Sequence, residues 1–167
     1  MMIRPEQVGD LDAIGIVTQA AFREVPYSDH NEHLVIERLR RAGALAVSLV
    51  AEEGGAIIGH IGFSPVGLSG SSDMWFGLGP LSVLPERQGR GVGSALVHRG
   101  LDALRELNAG GCVVMGDPAY YRRFGFHHDE RLKAGGIDDE YFMILPLQGG
   151  TPSGIVRYHQ AFFGDIA

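Results

Sequence analysis

The chain has 167 residues, 45% hydrophobic and 20% charged, with a formal net charge of −6 and one cysteine. This length suits one domain over residues 1–167; the acidic balance argues against nucleic acid, and no apolar run nears the ~20 residues of a membrane-spanning helix. The lone Cys112 excludes an internal disulfide, and the first residues carry no signal-like apolar stretch, so a reducing cytoplasm is the expected setting.

Residues 3–4 open as a short strand. A helix is expected over 9–22, where Leu11, Ile14, Val17 and Ala21 recur at helical spacing. A polar loop, 26–31, leads to a second helix over 32–42 with Leu34, Val35 and Leu39 on one face. Residues 48–52 and 56–64 read as strands joined at Gly54-Gly55, a hairpin signal, with a further turn over 67–72. A long strand over 74–84 is interrupted at Gly77-Leu78-Gly79-Pro80, where the proline removes a ladder donor and a bulge or splay is expected. A glycine-rich loop and an amphipathic helix to about 107 follow, then a strand over 112–115 that buries Cys112. Asp117 and Pro118 suit the N-cap and first position of a short helix to about 123, closed by Gly125. Strands are expected at 126–127 and 141–147. The tail, 154–163, reads as a strand, a helical turn or both.

The most informative stretch runs from Leu81 to Leu96. An apolar strand ends at Pro85, and the loop Gln88-Gly89-Arg90-Gly91-Val92-Gly93-Ser94 sits at the start of a helix. Backbone N–H groups there lack intrahelical partners and lie at the positive end of the helix dipole; glycines let an anion approach them. A diphosphate cradle is the chemical reading, and a tight strand-to-helix turn without a ligand is the other. A Walker loop would need a Lys after the glycines, and the dinucleotide fingerprint would need glycine where Ser94 stands.

The spacing Q/R-x-x-G-x-G/A at Gln88 to Gly93, with the lead-in L-x-V-x-P-E at Leu81 to Glu86, resembles the acetyl-CoA pyrophosphate loop of the GNAT N-acetyltransferases. The stretch Gly116-Asp117-Pro118-Ala119-Tyr120-Tyr121-Arg122-Arg123-Phe124-Gly125-Phe126 is similar to that family's motif after the fifth strand. The resemblance covers the whole chain, although only these two segments are motif-specific, and the second resembles a bacterial branch whose acceptors are mostly unassigned. It implies an α/β (α+β) GNAT fold: a mixed central sheet of about six to seven strands flanked by about four helices, splayed at strands 4 and 5. It also implies an acetyl-CoA-dependent transferase that acetylates a primary amine of a small molecule or peptide by direct attack in a ternary complex. A non-catalytic acyl-CoA-binding or sensing module of the same fold is the alternative.

By that resemblance Leu81, Ser82 and Val83 offer backbone N–H groups to the pantetheine arm and the acetyl carbonyl, and residues 88–94 hold the pyrophosphate, with Asp117 beside them. Tyr121, four residues before Gly125, corresponds to the family's acid for the departing thiolate; a packing tyrosine is the alternative. Tyr120 points to another side of the helix and is expected to pack. The amine also needs a base, and the family fixes no position for one. Glu32 is the preferred carboxylate, against the alternative of a surface residue favoured by the helix dipole; Asp29, His30, His33, Glu24 and Asp73 are further candidates. Arg87, Arg90, Arg122 and Arg123 flank the expected groove, with Arg90 preferred for phosphate pairing. His30/His33 and His127/His128 lack a metal-ligand pattern, so no metal is expected. Tyr158 and Phe162-Phe163 read as packing anchors, or as the border of an acceptor pocket or of a homodimer contact.

Overall fold

A computed structural model describes residues 1–137 and 139–164. In chain order its elements are β1 (Met2–Pro5), α1 (Leu11–Phe22), α2 (Glu32–Arg41), β2 (Val47–Glu53), β3 (Ala56–Leu68), β4 (Trp75–Val83), α3 (Val92–Glu106), β5 (Gly111–Met115), α4 (Pro118–Tyr121), β6 (Leu132–Ala134), β7 (Phe142–Pro146) and β8 (Gly154–Arg157). The main sheet has the order β1-β2-β3-β4-β5-β7, antiparallel except for the parallel pair β4 and β5. β8 pairs with the far end of β3, at Gly67 and Leu68, and with β6.

Alternation along β2 sorts the two faces. Leu49 and Ala51 join Phe63, Leu96, Leu104 and Met143 in the core beneath α3, whereas Val50 meets Ile14 of α1 and Ile36 of α2 on the opposite face. On α2 the buried residues are Val35, Ile36 and Leu39; Leu34, expected on that stripe, is exposed. Ile36 replaces it because the face must meet both the sheet and α1.

The interruption expected in the fourth strand is present. Ile61 pairs with Leu81 and Phe63 with Leu78, so β4 spends one residue more than β3 across Gly79-Pro80. The pairing of β4 with β5 covers Trp75 to Leu78 and ends there. Beyond that point the two strands part, and one edge of residues 79–83 faces a cleft.

Two expectations are corrected at the C-terminal side. Residues 126–127 form no strand, only an isolated bridge from His127 to Ile144. A strand stands instead at Leu132–Ala134, paired to β8 across more than twenty residues of sequence. β3 also runs past residue 64, through Pro65, to Leu68, and its far end supports β8. The tail is both a strand and a single helical turn, Gln160–Phe162.

Candidate active site

The cleft begins with the backbone of β4. Leu84 donates its N–H to the Ile58 carbonyl at 2.9 Å, and strand alternation turns the backbone groups of Ser82 toward β3 as well. Those of Leu81 and Val83 therefore face the open edge, where the Gln88 side-chain amide donates to the Val83 carbonyl at 3.0 Å. The Ser82 hydroxyl is buried on the other face. Of the three residues expected to serve the cleft, the structure brings Leu81 and Val83 to it and turns Ser82 away.

The glycine loop closes one end. Gly89 and Gly91 sit at φ 76° and 83°, conformations that a side chain would strain, and Gly91 is the N-cap of α3 with no side chain capping it. The first N–H groups of α3 are thus left to the adjacent cavity of about 450 Å3, whose wall includes Gly89, Gly91, Val92, Gly93 and Ser94. Arg87, ion-paired with Glu53 at 3.4 Å, and Arg123 line it, while Arg90 is exposed beside it. Arg122 lies elsewhere, in a shallow depression with His128 and Glu140.

The second motif borders the same space. Asp117 caps α4, its carboxylate accepting from the Ala119 N–H at 2.9 Å, and Gly125 closes the following turn at φ 98°. Tyr121 is wedged by Phe126, with ring centroids 5.9 Å apart, and against Gly116. Burial, reinforced by Tyr120, pushes the Tyr121 phenol above its ordinary range, so it stays protonated. Tyr120 packs edge-on against Tyr121 and Phe124 beneath the Arg123 guanidinium. Packing is only part of its position, because its hydroxyl reaches Gly93 in the loop.

A larger cavity of about 710 Å3 opens on the other side of Tyr120. The two cavities share Leu81, Gln88 and Tyr120. Asp117, Tyr121 and Glu32 line the larger one. Glu32 stands in the first turn of α2; Ser28 donates to its carboxylate at 2.6 Å and is itself held by the His30 N–H at 2.9 Å. Asp29 shares the cavity wall with Glu32. His33 is tied to Gln19 of α1 at 3.0 Å, His30 borders a smaller depression, and neither Glu24 nor Asp73 is on the wall.

The sequence model of the Acetyltransferase (GNAT) family matches residues 16–126. The chain belongs to the GNAT acetyltransferase family. The protein named "Uncharacterized N-acetyltransferase YhbS" of Escherichia coli K12 is 37% identical over 97% of this chain and 98% of its own length. A GNAT family acetyltransferase of Brucella melitensis, solved in complex with acetyl-CoA, superposes with a TM-score of 0.86 at 48% identity, covering 96% of this chain and 97% of that one. Crystalline YhbS from Escherichia coli, in complex with CoA, gives a TM-score of 0.85 at 34% identity over 98% of this chain and 92% of that one.

Part of the larger cavity's wall lies outside the two motifs. Phe22, Tyr27, Tyr158 and Phe162 come to it from α1, the following loop and the tail. Their only sequence signal was the pairing of aromatics in the tail, which reads equally well as packing.

Proposed function

We propose that the protein is an acetyl-CoA-dependent N-acetyltransferase acting on a primary amine. The observation that carries this reading is the parting of β4 from β5 after Leu78 and Val114, which leaves the Leu81 and Val83 backbone groups between two adjoining cavities. The residues fit the donor: uncapped N–H groups of α3, glycines without side chains and two arginines form an anion cradle. The Brucella and Escherichia relatives with acetyl-CoA and CoA support it.

Residues 88–94 hold the pyrophosphate, with Arg87 and Arg123 as counter-charges. Leu81 and Val83 present N–H groups along the acyl arm. Acetyl-CoA supplies the acetyl group as a thioester: the amine nitrogen bonds the acyl carbon, the carbon–sulfur bond breaks, and CoA leaves as a thiolate. Tyr121 gives that thiolate its proton and regains one, directly or through water, from the nitrogen as it becomes an amide, and Asp117 fixes the helix that carries Tyr121. Glu32 holds the incoming ammonium and takes its proton, directly or through water.

Calorimetric titration with acetyl-CoA, NAD and ATP, followed by thiol release in the presence of amines, tests the reading. Acetyl-CoA is expected to bind alone of the three and to release thiol only when an amine is present. Binding without amine-dependent release would make the chain a sensor of acyl-CoA, and preferential NAD or ATP binding would remove the donor assignment.

A further inference from the structure

The larger cavity has a one-sided chemistry. Its wall carries the carboxylates of Asp29, Glu32 and Asp117, and among the described residues no Lys, Arg or His lines it. The remaining wall is largely apolar, with the rings of Phe22, Tyr158 and Phe162 beside Val25, Val35 and Leu78, and the exposed Tyr27 at its rim. Uncharged amide partners are few, Asn31 and Gln88. Tyr158 gives the wall part of its ring, which lies against Gly77, while its hydroxyl is buried and meets no hydrogen-bond partner among the described residues. A buried hydroxyl of this kind is costly unless something bonds to it. The volume is that of a small-molecule site.

We propose that this cavity takes a small primary amine with one positive charge on an apolar, ring-sized body, and discriminates against anionic and polyhydroxylated amines. The proposal rests on the acetyltransferase reading for the fate of the amine but not for its binding. Carboxylates without opposing cations attract an ammonium and repel a carboxylate-bearing amine. Aromatic faces hold both a cation and a flat apolar body. A sugar amine would set part of its hydroxyls against Phe22, Val25, Val35, Leu78 and Phe162, which offer no partner to replace water.

The test is calorimetric titration of the CoA-loaded protein with 2-phenylethylamine, glucosamine, glutamate and the neutral 2-phenylethanol. Phenylethylamine is expected to bind at least roughly tenfold tighter than glucosamine or glutamate. The double substitution Asp29→Asn, Glu32→Gln should weaken phenylethylamine by roughly tenfold and leave phenylethanol unchanged. Equal binding of the three amines, tighter binding of glucosamine or glutamate, or an unchanged phenylethylamine affinity in the double variant would overturn the proposal. Thiol release from acetyl-CoA is measured separately. Selective binding without release sustains the cavity's specificity and removes the transferase reading; release with glucosamine in preference does the reverse.

Discussion

Tyr120 and Gly93 are fitted to each other: the Tyr120 hydroxyl lies 2.7 Å from where a β-carbon on Gly93 would stand. The second motif therefore limits the glycine loop directly, across the boundary of the two cavities.

Gly93→Ala should force the Tyr120 ring to give way, although that ring is held by Tyr121, Phe124 and Arg123. Overpacking of this kind costs ~1–3 kcal/mol, while alanine returns up to ~1 kcal/mol of helix propensity. Acetyl-CoA affinity should fall while thermal stability changes little. Tyr120→Phe removes the offending oxygen, so the double variant should recover most of the affinity. Calorimetry on the four proteins of this cycle measures the coupling, and additive losses would mean that the two residues act independently.

Tyr121→Phe removes one oxygen from a tightly packed ring. If Tyr121 protonates the leaving thiolate, kcat should drop by ~10²–10⁴-fold with acetyl-CoA affinity unchanged. Because burial raises the wild-type phenol, its deprotonation should not produce an alkaline decline in kcat below pH ~10. Wild-type turnover in the Phe variant, with chemistry rate-limiting, would leave Tyr121 a packing residue.

Glu32→Gln should lower kcat/KM for the amine, and the loss should shrink at high pH where the free amine is already neutral. Ser28→Ala, which removes the donor to Glu32 and the acceptor of the His30 N–H but keeps the carboxylate, should have a smaller effect in the same direction. A pH-independent ratio near one for Glu32→Gln would make it a first-turn carboxylate worth only ~0.3–1 kcal/mol to α2.

His60 gives a prediction about stability. It is fully buried on β3, with Nε2 2.7 Å from the Ser48 hydroxyl. Ser48 in turn donates to Glu6, which Arg40 grips at 2.9 Å through two N–H groups. The Glu6 carboxylate can only accept, so Ser48 must receive its second bond from an Nε2–H of a neutral His60. Burial lowers the His60 pKa to about 4, and the Arg40 charge adds to this against the opposing pull of Glu6. The unfolded chain takes up that proton near pH ~6.5, and the folded chain only near 4. This stabilisation is therefore complete above pH ~6.5 and lost progressively as pH falls toward 4, by ~3 kcal/mol in all. Glu6 acts lower: burial raises its pKa, but its bonds to Arg40 and Ser48 outweigh that, so its contribution fades only in the acid carboxylate range. Urea unfolding at pH 7, 6 and 5 should show a decline that His60→Gln flattens; matching slopes would place the effect elsewhere.

Local chemistry made half of the site readable from the sequence. The proposed cradle lies within residues 88–94, where Gly89 and Gly91 answer to local backbone conformation, and the Asp117 cap, the Gly125 closure and the break at Gly79-Pro80 are also local. Strand alternation, by contrast, took Ser82 out of the cleft, which motif matching alone could not register. The amine-side wall draws on residues separated by up to about 140 positions, and no periodicity links Phe22 to Phe162. Leu132–Ala134 escaped notice for the same reason: three residues containing a lysine become a strand only because β8 lies beside them. The Glu6–Ser48–His60 chain joins the residue after β1 to β2 and β3 and leaves no sequence signature at all.

The pairing of β8 with the far end of β3 has an evolutionary consequence. Tyr158 and Phe162 hang from an annexe of the sheet, while the glycine loop is built into its centre between β4 and α3. Edits near residues 154–163 can therefore reshape the proposed amine side without disturbing the proposed phosphate cradle. Under the proposed reading, such a layout lets a lineage keep one donor and exchange its acceptors by altering a short edge of the sheet.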